Sequence, residues 1–194
     1  LQILINNGAV LDLANKHGET PLMRATNVAR HSHAVSVYEW HFAPEDQSIC
    51  VKHALQSMET LLRSGCLVPD TKHKQSDLLV DTWNFLDTIT SVSSVSFTVI
   101  KVLIMVMKML VLAGCKPDDR LLAYIRHDVR QSQQEKVTQF ADWLEEYRSQ
   151  PMRLQEICRV AIRKIMRPPQ LRSLHSVPLP NKLKVYILFE ELNL

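Results

Sequence analysis

The sequence predicts an all-α protein of two unequal parts, residues 1–150 and 151–194. Three stretches carry that expectation. From Leu154 the apolar residues recur as Leu154, Ile157, Cys158, Ala161, Ile162 and Ile165, the i, i+3, i+4, i+7 spacing that lines one side of a helix. Phe140, Trp143, Leu144 and Tyr147 keep the same spacing within Val137 to Tyr147. Residues 92–113 are largely apolar, and Lys101 and Lys108 with Ser94 and Thr98 form one polar face, which suits a soluble amphipathic helix. A membrane span is excluded there, because each lysine near the middle costs roughly 2.5 to 3.5 kcal/mol at a bilayer centre.

Taken from the start, Leu4-Ile5-Asn6-Asn7-Gly8-Ala9 ends a first helical unit, with Gly8 supplying the left-handed conformation that closes a helix. Ten residues after Gly8 comes Gly18-Glu19-Thr20-Pro21-Leu22, with Ala25 following. Thr20 is placed to cap the next helix with its hydroxyl, and Pro21 to occupy the first helical position, where its missing amide costs nothing. The closing phrase returns as Leu61-Leu62-Arg63-Ser64-Gly65-Cys66 and as Leu110-Val111-Leu112-Ala113-Gly114-Cys115. Beyond Gly65, Ser76-Asp77-Leu78-Leu79 lines up with the Thr-Pro-Leu opening, which gives Asp77 the capping role. Leu121 to Ile125 and Val137 to Tyr147 then form a last helix pair, and Arg148-Ser149-Gln150-Pro151 is the junction between the two parts.

These phrases resemble the ankyrin repeat, whose second helix ends in Leu-Leu-x-x-Gly-Ala and whose next unit opens with Gly-x-Thr-Pro-Leu-His-x-Ala. Met23 stands at the position of the usual His, and Cys66 and Cys115 stand where the family prefers Ala, as small packing residues. The resemblance implies an ankyrin-repeat solenoid with degenerate, insertion-bearing repeats, since the units recur about every 50 residues rather than the ideal 33. Leu1 falls inside a helix without an initiator Met, so residues 1–150 are expected to be the C-terminal part of a longer array.

One insertion, between Thr26 and Cys50, holds His31, His33, Tyr38, Trp40, His41 and Phe42. Solenoids present such loops at their binding face, and aromatic residues anchor interfaces. Tyr38, Trp40 and Phe42 are therefore the candidate substrate-binding residues; the competing reading packs them against neighbouring helices. Ser91 to Ser96 reads as a connector between helices.

In the last part, Glu156, Arg159 and Arg163 face away from the apolar stripe and are expected to form its solvated side. Pro168-Pro169 ends that helix. A short element, Leu171 to His175, leads to Val177-Pro178-Leu179-Pro180 and a third apolar stretch, Leu183 to Phe189. This segment resembles a SOCS box, in which a first helix written as small-or-Pro, Leu, three residues, Cys, three residues, aliphatic binds elongin C, and a Leu-Pro-aliphatic-Pro strip recruits cullin-5. By that resemblance Leu154, Cys158 and Ile162 occupy the elongin C positions, and Val177, Pro178, Leu179 and Pro180 the cullin strip. Arg153 takes the place of the usual Ser, Thr or Pro, and Val177 that of the first leucine. Read as part of a packed stripe, the Cys158 thiol is expected to be buried and inert.

The order of the two modules resembles the ankyrin repeat and SOCS box family. That implies a non-catalytic substrate-recognition subunit of an elongin B/C, cullin-5 RING E3 ubiquitin ligase. Its partners are elongin B and elongin C, cullin-5 with its RING protein, and a protein target; no cofactor is implied. The alternative is an ankyrin interaction scaffold whose C-terminal helices only cap the solenoid. Composition narrows the other classes. A net charge of +3 is too small to argue for nucleic acid. Four glycines leave no room for a phosphate-binding glycine loop. Cys50, Cys66, Cys115 and Cys158 contain no Cys-x-x-Cys pair, and the histidines near Cys50 lack the spacing of a closed zinc site. That cysteine usage, with no signal-peptide pattern in the sequence, leads us to expect a reducing intracellular setting, the cytoplasm first and the nucleus as the alternative.

Overall fold

The computed structural model describes residues 1–27, 44–69, 72–86, 97–131, 135–166, 171 and 173–192, with no strand among the described residues. The helices are α1 (Gln2–Asn6), α2 (21–27), α3 (Pro44–Arg63), α4 (Lys72–Trp83), α5 (Phe97–Leu112), α6 (Asp119–Gln131) and α7 (Glu135–Ser149). After residues 150–153 come α8 (Leu154–Ile165), a 3-10 turn at Ser173–Ser176, α9 (Asn181–Ile187) and a second 3-10 turn at Glu190–Leu192. None of the helices is long and apolar enough to cross a membrane among the described residues.

Helices of one kind stack on each other. α3 packs on α5 and α5 on α7, while α4 packs on α6, and the pairs α4–α5 and α6–α7 lie side by side. The result is two layers of helices with Leu55, Met58, Leu62, Leu79, Trp83, Leu103, Leu110, Leu121, Phe140 and Leu144 buried in one continuous core. The three closing phrases adopt one geometry. Gly8, Gly65 and Gly114 all have positive φ. The amides after them, of Ala9, Cys66 and Cys115, reach back to the carbonyls of Leu4, Leu61 and Leu110 at 3.0, 3.1 and 3.0 Å. The glycine amides bond Ile5, Leu62 and Val111. This paired closure is the Schellman arrangement, which satisfies carbonyls that a helix end otherwise leaves open.

At the opening of α2 the Thr20 hydroxyl accepts the Met23 amide at 3.4 Å, and Pro21 is the first helical residue. Asp77 does not cap a helix. α4 already begins at Lys72, and Asp77 instead accepts a 2.6 Å bond from Arg120 Nη2, an ion pair between α4 and α6. The apolar stripe of α7 continues an aromatic ladder that begins at Trp83 of α4: Trp83, Phe140, Trp143 and Tyr147 stack at successive centroid distances of 5.5, 5.7 and 5.4 Å. Trp83 is anchored by its Nε1–H donating to Asp128 Oδ2 at 2.7 Å. Lys108 of α5 lies over the Trp143 ring, 5.1 Å from its centroid, so its half-buried stem belongs to the core and its charge to an aromatic face. Cys66 and Cys115 are buried in the core, as their small size suggested.

Candidate functional site

The first helix of the C-terminal segment, α8, turns its apolar stripe outward. Leu154 is 75%, Ile157 50% and Ile165 76% exposed, and Cys158 and Ala161 are also exposed. Cys158 is therefore an exposed thiol and not a buried one, because no described residue covers it. Ile162 stands apart from its stripe neighbours. It is half-buried against a small second core of Leu171, Leu174, Ile187 and Leu188, which Met166 and Leu179 also touch. At the helix start, Glu156 Oε2 accepts the Arg153 amide at 3.0 Å, half of a capping box.

The charged face of α8 points inward. Arg159 is 2% and Arg163 3% exposed, the reverse of the solvated side expected from amphipathic spacing. Arg163 donates from Nη1 to the Ile187 carbonyl at 2.9 Å and from Nη2 to the Leu62 carbonyl. Those carbonyls lie in the last turns of α9 and α3, at the negative ends of the helix dipoles, and the Leu62 carbonyl accepts Arg163 in addition to the Gly65 amide. The guanidinium also sits 4.4 Å from the Phe189 ring centroid. Burial pulls the Arg163 pKa down to about 10, which still leaves it charged at neutral pH. Arg159 lies 3.5 Å over the Tyr186 ring and 5.0 Å from that of Phe189, and it is ion-paired with Glu191. Its Nε and Nη1 have no hydrogen-bond partner among the described residues. The arginines are buried because helix carbonyls, aromatic faces and one carboxylate replace their water.

The rest of the segment completes the joint. Phe189, with φ 61°, is fully buried in the core of the helical layers, and its carbonyl accepts Arg63 Nη1 at 2.9 Å. Leu171 covers Gly65 so closely that a Cβ placed on the glycine lies 2.6 Å from Leu171 Cδ1. Val160 of α8 covers Gly114 in the same way, at 3.2 Å. The glycines that end two helical units thus also leave room for the C-terminal segment.

The Val177-Pro178-Leu179-Pro180 strip runs from the first 3-10 turn into α9, with Pro180 at the α9 N-cap at φ −53° and ψ 137°. Pro178 and Pro180 are exposed, whereas Val177 and Leu179 are half-buried. Tyr38, Trp40 and Phe42 lie outside the described residues, as do His31, His33, His41 and Ser91 to Ser96. Sequence reasoning missed Arg159 and Arg163 as structural residues. The available signal was that two arginines four apart sat opposite a stripe already reserved for a partner.

The SOCS box family model matches residues 150–188, so α8, the first 3-10 turn, the proline strip and α9 constitute a SOCS box. The match does not extend to residues 1–149. No curated protein and no solved structure matches the chain.

Proposed function

We propose that this chain is the substrate-recognition subunit of an elongin B/C, cullin-5 RING E3 ubiquitin ligase, binding its target through ankyrin repeats formed by residues 1–150. The observation that carries the reading is the inverted burial of α8: arginines inward, with Leu154, Ile157, Cys158 and Ile165 left uncovered in a segment that matches the SOCS box. A helix that merely caps a stack buries its apolar side. Here the capping is done by the opposite face, and a contiguous apolar patch remains of the kind that marks a protein-binding site.

In this reading Leu154 is the central anchor in elongin C, with Cys158 and Ile162 one and two turns along. Elongin B sits behind elongin C, and Val177, Pro178, Leu179 and Pro180 add contact to the cullin, which brings its RING protein. The two prolines favour that role, since a stiff extended strip loses little entropy on binding. The two-layer helix stack and its repeated Schellman closures support the ankyrin reading of residues 1–150. Tyr38, Trp40 and Phe42 remain the proposed target contacts. Ubiquitin transfer then belongs to the RING protein and its charged E2, and this chain contributes by raising the effective concentration of ubiquitin near target lysines. None of its residues needs to be catalytic.

Burying a leucine of this exposure contributes roughly 1.5 to 3 kcal/mol, at least tenfold in affinity. The test is co-expression with elongins B and C, comparing the wild type with Leu154→Asp, Cys158→Lys. A stoichiometric complex that the double variant loses supports the adaptor; equal recovery from both, or none from either, leaves the capped scaffold as the better account.

A further inference from the structure

The adaptor reading leaves open how the target-binding repeats are aimed at the ligase. Joined modules move relative to each other by default unless their interface is large and well packed. Between the two parts of this chain the connection is short, residues 150–153, and a set of specific bonds reinforces it. Arg163, buried in α8, bonds the last turn of α3 and the last turn of α9 at once. Arg63, from the end of α3, returns a bond to the Phe189 carbonyl just beyond α9. Phe189 itself is inserted into the core of the helical layers, with the guanidinium groups of Arg159 and Arg163 over its ring.

We propose that Arg163 is a positioning residue: it locks the direction of the exposed α8 face relative to the helical layers, so that a bound target is presented to the ligase at one fixed angle. The proposal rests on the adaptor reading for what is being aimed, but the lock itself is a property of this chain. Its bonds come from the face of α8 opposite Leu154 and Cys158, so the lock and the docking face are separable by mutation. Arg163 reaches its two carbonyls from two separate nitrogens, Nη1 and Nη2, held in one rigid plane, whereas a lysine has a single rotating ammonium to serve both.

The experiment measures a distance distribution in the full chain by pulsed electron resonance. Spin labels are carried on a ketone-bearing amino acid at Tyr124 of α6 and at Lys182 of α9, both exposed, which leaves the cysteines untouched. We expect one narrow distance in the wild type, at least a twofold broadening in Arg163→Met, a smaller broadening in Arg63→Gln, and partial recovery in Arg163→Lys. Gly8→Ala is the control for lost stability alone, since it lies far along the chain and should leave the distance narrow. Elongin B/C capture by Arg163→Met should stay within about twofold of wild type, because the docking face is intact. An Arg163→Met distribution as narrow as wild type, or Gly8→Ala broadening as much, overturns the lock. If Arg163→Met does not fold, Arg63→Gln decides: no broadening overturns the proposal. Failure of the wild type to capture elongins overturns the adaptor reading instead, and the distance measurement, which needs no partner, tells the two failures apart.

Discussion

Replacing each unit-ending glycine by alanine separates backbone strain from contact with the C-terminal segment. Gly8, Gly65 and Gly114 have φ of 86°, 94° and 111°, so alanine at any of them meets the left-handed penalty, about 1 to 2 kcal/mol. The surroundings differ. A Cβ on Gly8 meets nothing within 4 Å, one on Gly114 meets Val160 Cγ1 at 3.2 Å, and one on Gly65 meets Leu171 Cδ1 at 2.6 Å and Cβ at 3.1 Å. Leu171 is fully buried, so moving it aside disturbs the packing of the small core it belongs to. Overpacking of this kind costs a further 1 to 3 kcal/mol, roughly. Gly65→Ala should therefore destabilise by about 2 to 5 kcal/mol and Gly8→Ala by about 1 to 2, with Gly114→Ala between them. Urea denaturation midpoints in one buffer rank the three, and a Leu171→Ala background should restore about 1 to 2 kcal/mol of the Gly65→Ala loss. Equal destabilisation at Gly8 and Gly65, or no coupling to Leu171, refutes the idea that the C-terminal segment rests on Gly65.

Three further outcomes follow from the same contacts. Leu154→Ala removes a side chain that touches little of its own chain, so thermal stability should shift by less than about 0.5 kcal/mol while elongin capture falls at least tenfold, roughly. Glu191→Gln strips buried Arg159 of its carboxylate and should lower stability by about 1 to 3 kcal/mol in thermal melts. Burial pushes the Cys66 thiol up from 9.0 to about 12, and Cys115 higher still. A raised folded pKa means that the stabilising effect is fully present below pH 9.0 and lost as pH rises toward 12. Within that window the unfolded thiol ionises first, so stability should fall by about 1.4 kcal/mol per pH unit for each thiol. A Cys66→Ala variant should show a shallower fall in melting temperature over the lower part of that range.

Much of the helical framework was legible because it depends on local chemistry. Glycine after a Leu-rich turn means a left-handed helix end wherever the chain goes, and Thr20-Pro21 starts a helix for reasons confined to its own backbone. The i, i+3, i+4 spacing likewise gave α7 its aromatic ladder. What failed depended on distant partners. Asp77 fitted a cap in an aligned phrase, but the helix had already begun at Lys72 and the carboxylate's use lay across the layer at Arg120. Periodicity assigned Arg159 and Arg163 to water because it scores a side chain's polarity and not its acceptors. The acceptor of Arg163 at Leu62 is 101 residues away, a helix-end carbonyl that no local pattern reveals. The outward stripe was legible as a stripe. That it is uncovered followed only from seeing the other face occupied.

The orientation of α8 has a built-in reporter in its cysteines. Cys158 is exposed on the stripe, Cys66 and Cys115 are buried, and Cys50 is partly accessible and far from the stripe in sequence. Maleimide labelling with mass-spectrometric readout of each thiol, on the free chain and after addition of elongins B and C, tests the central claim directly. We expect Cys158 to label fastest in the free chain and to slow clearly when bound elongins cover it, with Cys50 unchanged. A Cys158 that is silent in the free chain, or that labels equally fast with the elongins bound, contradicts the account.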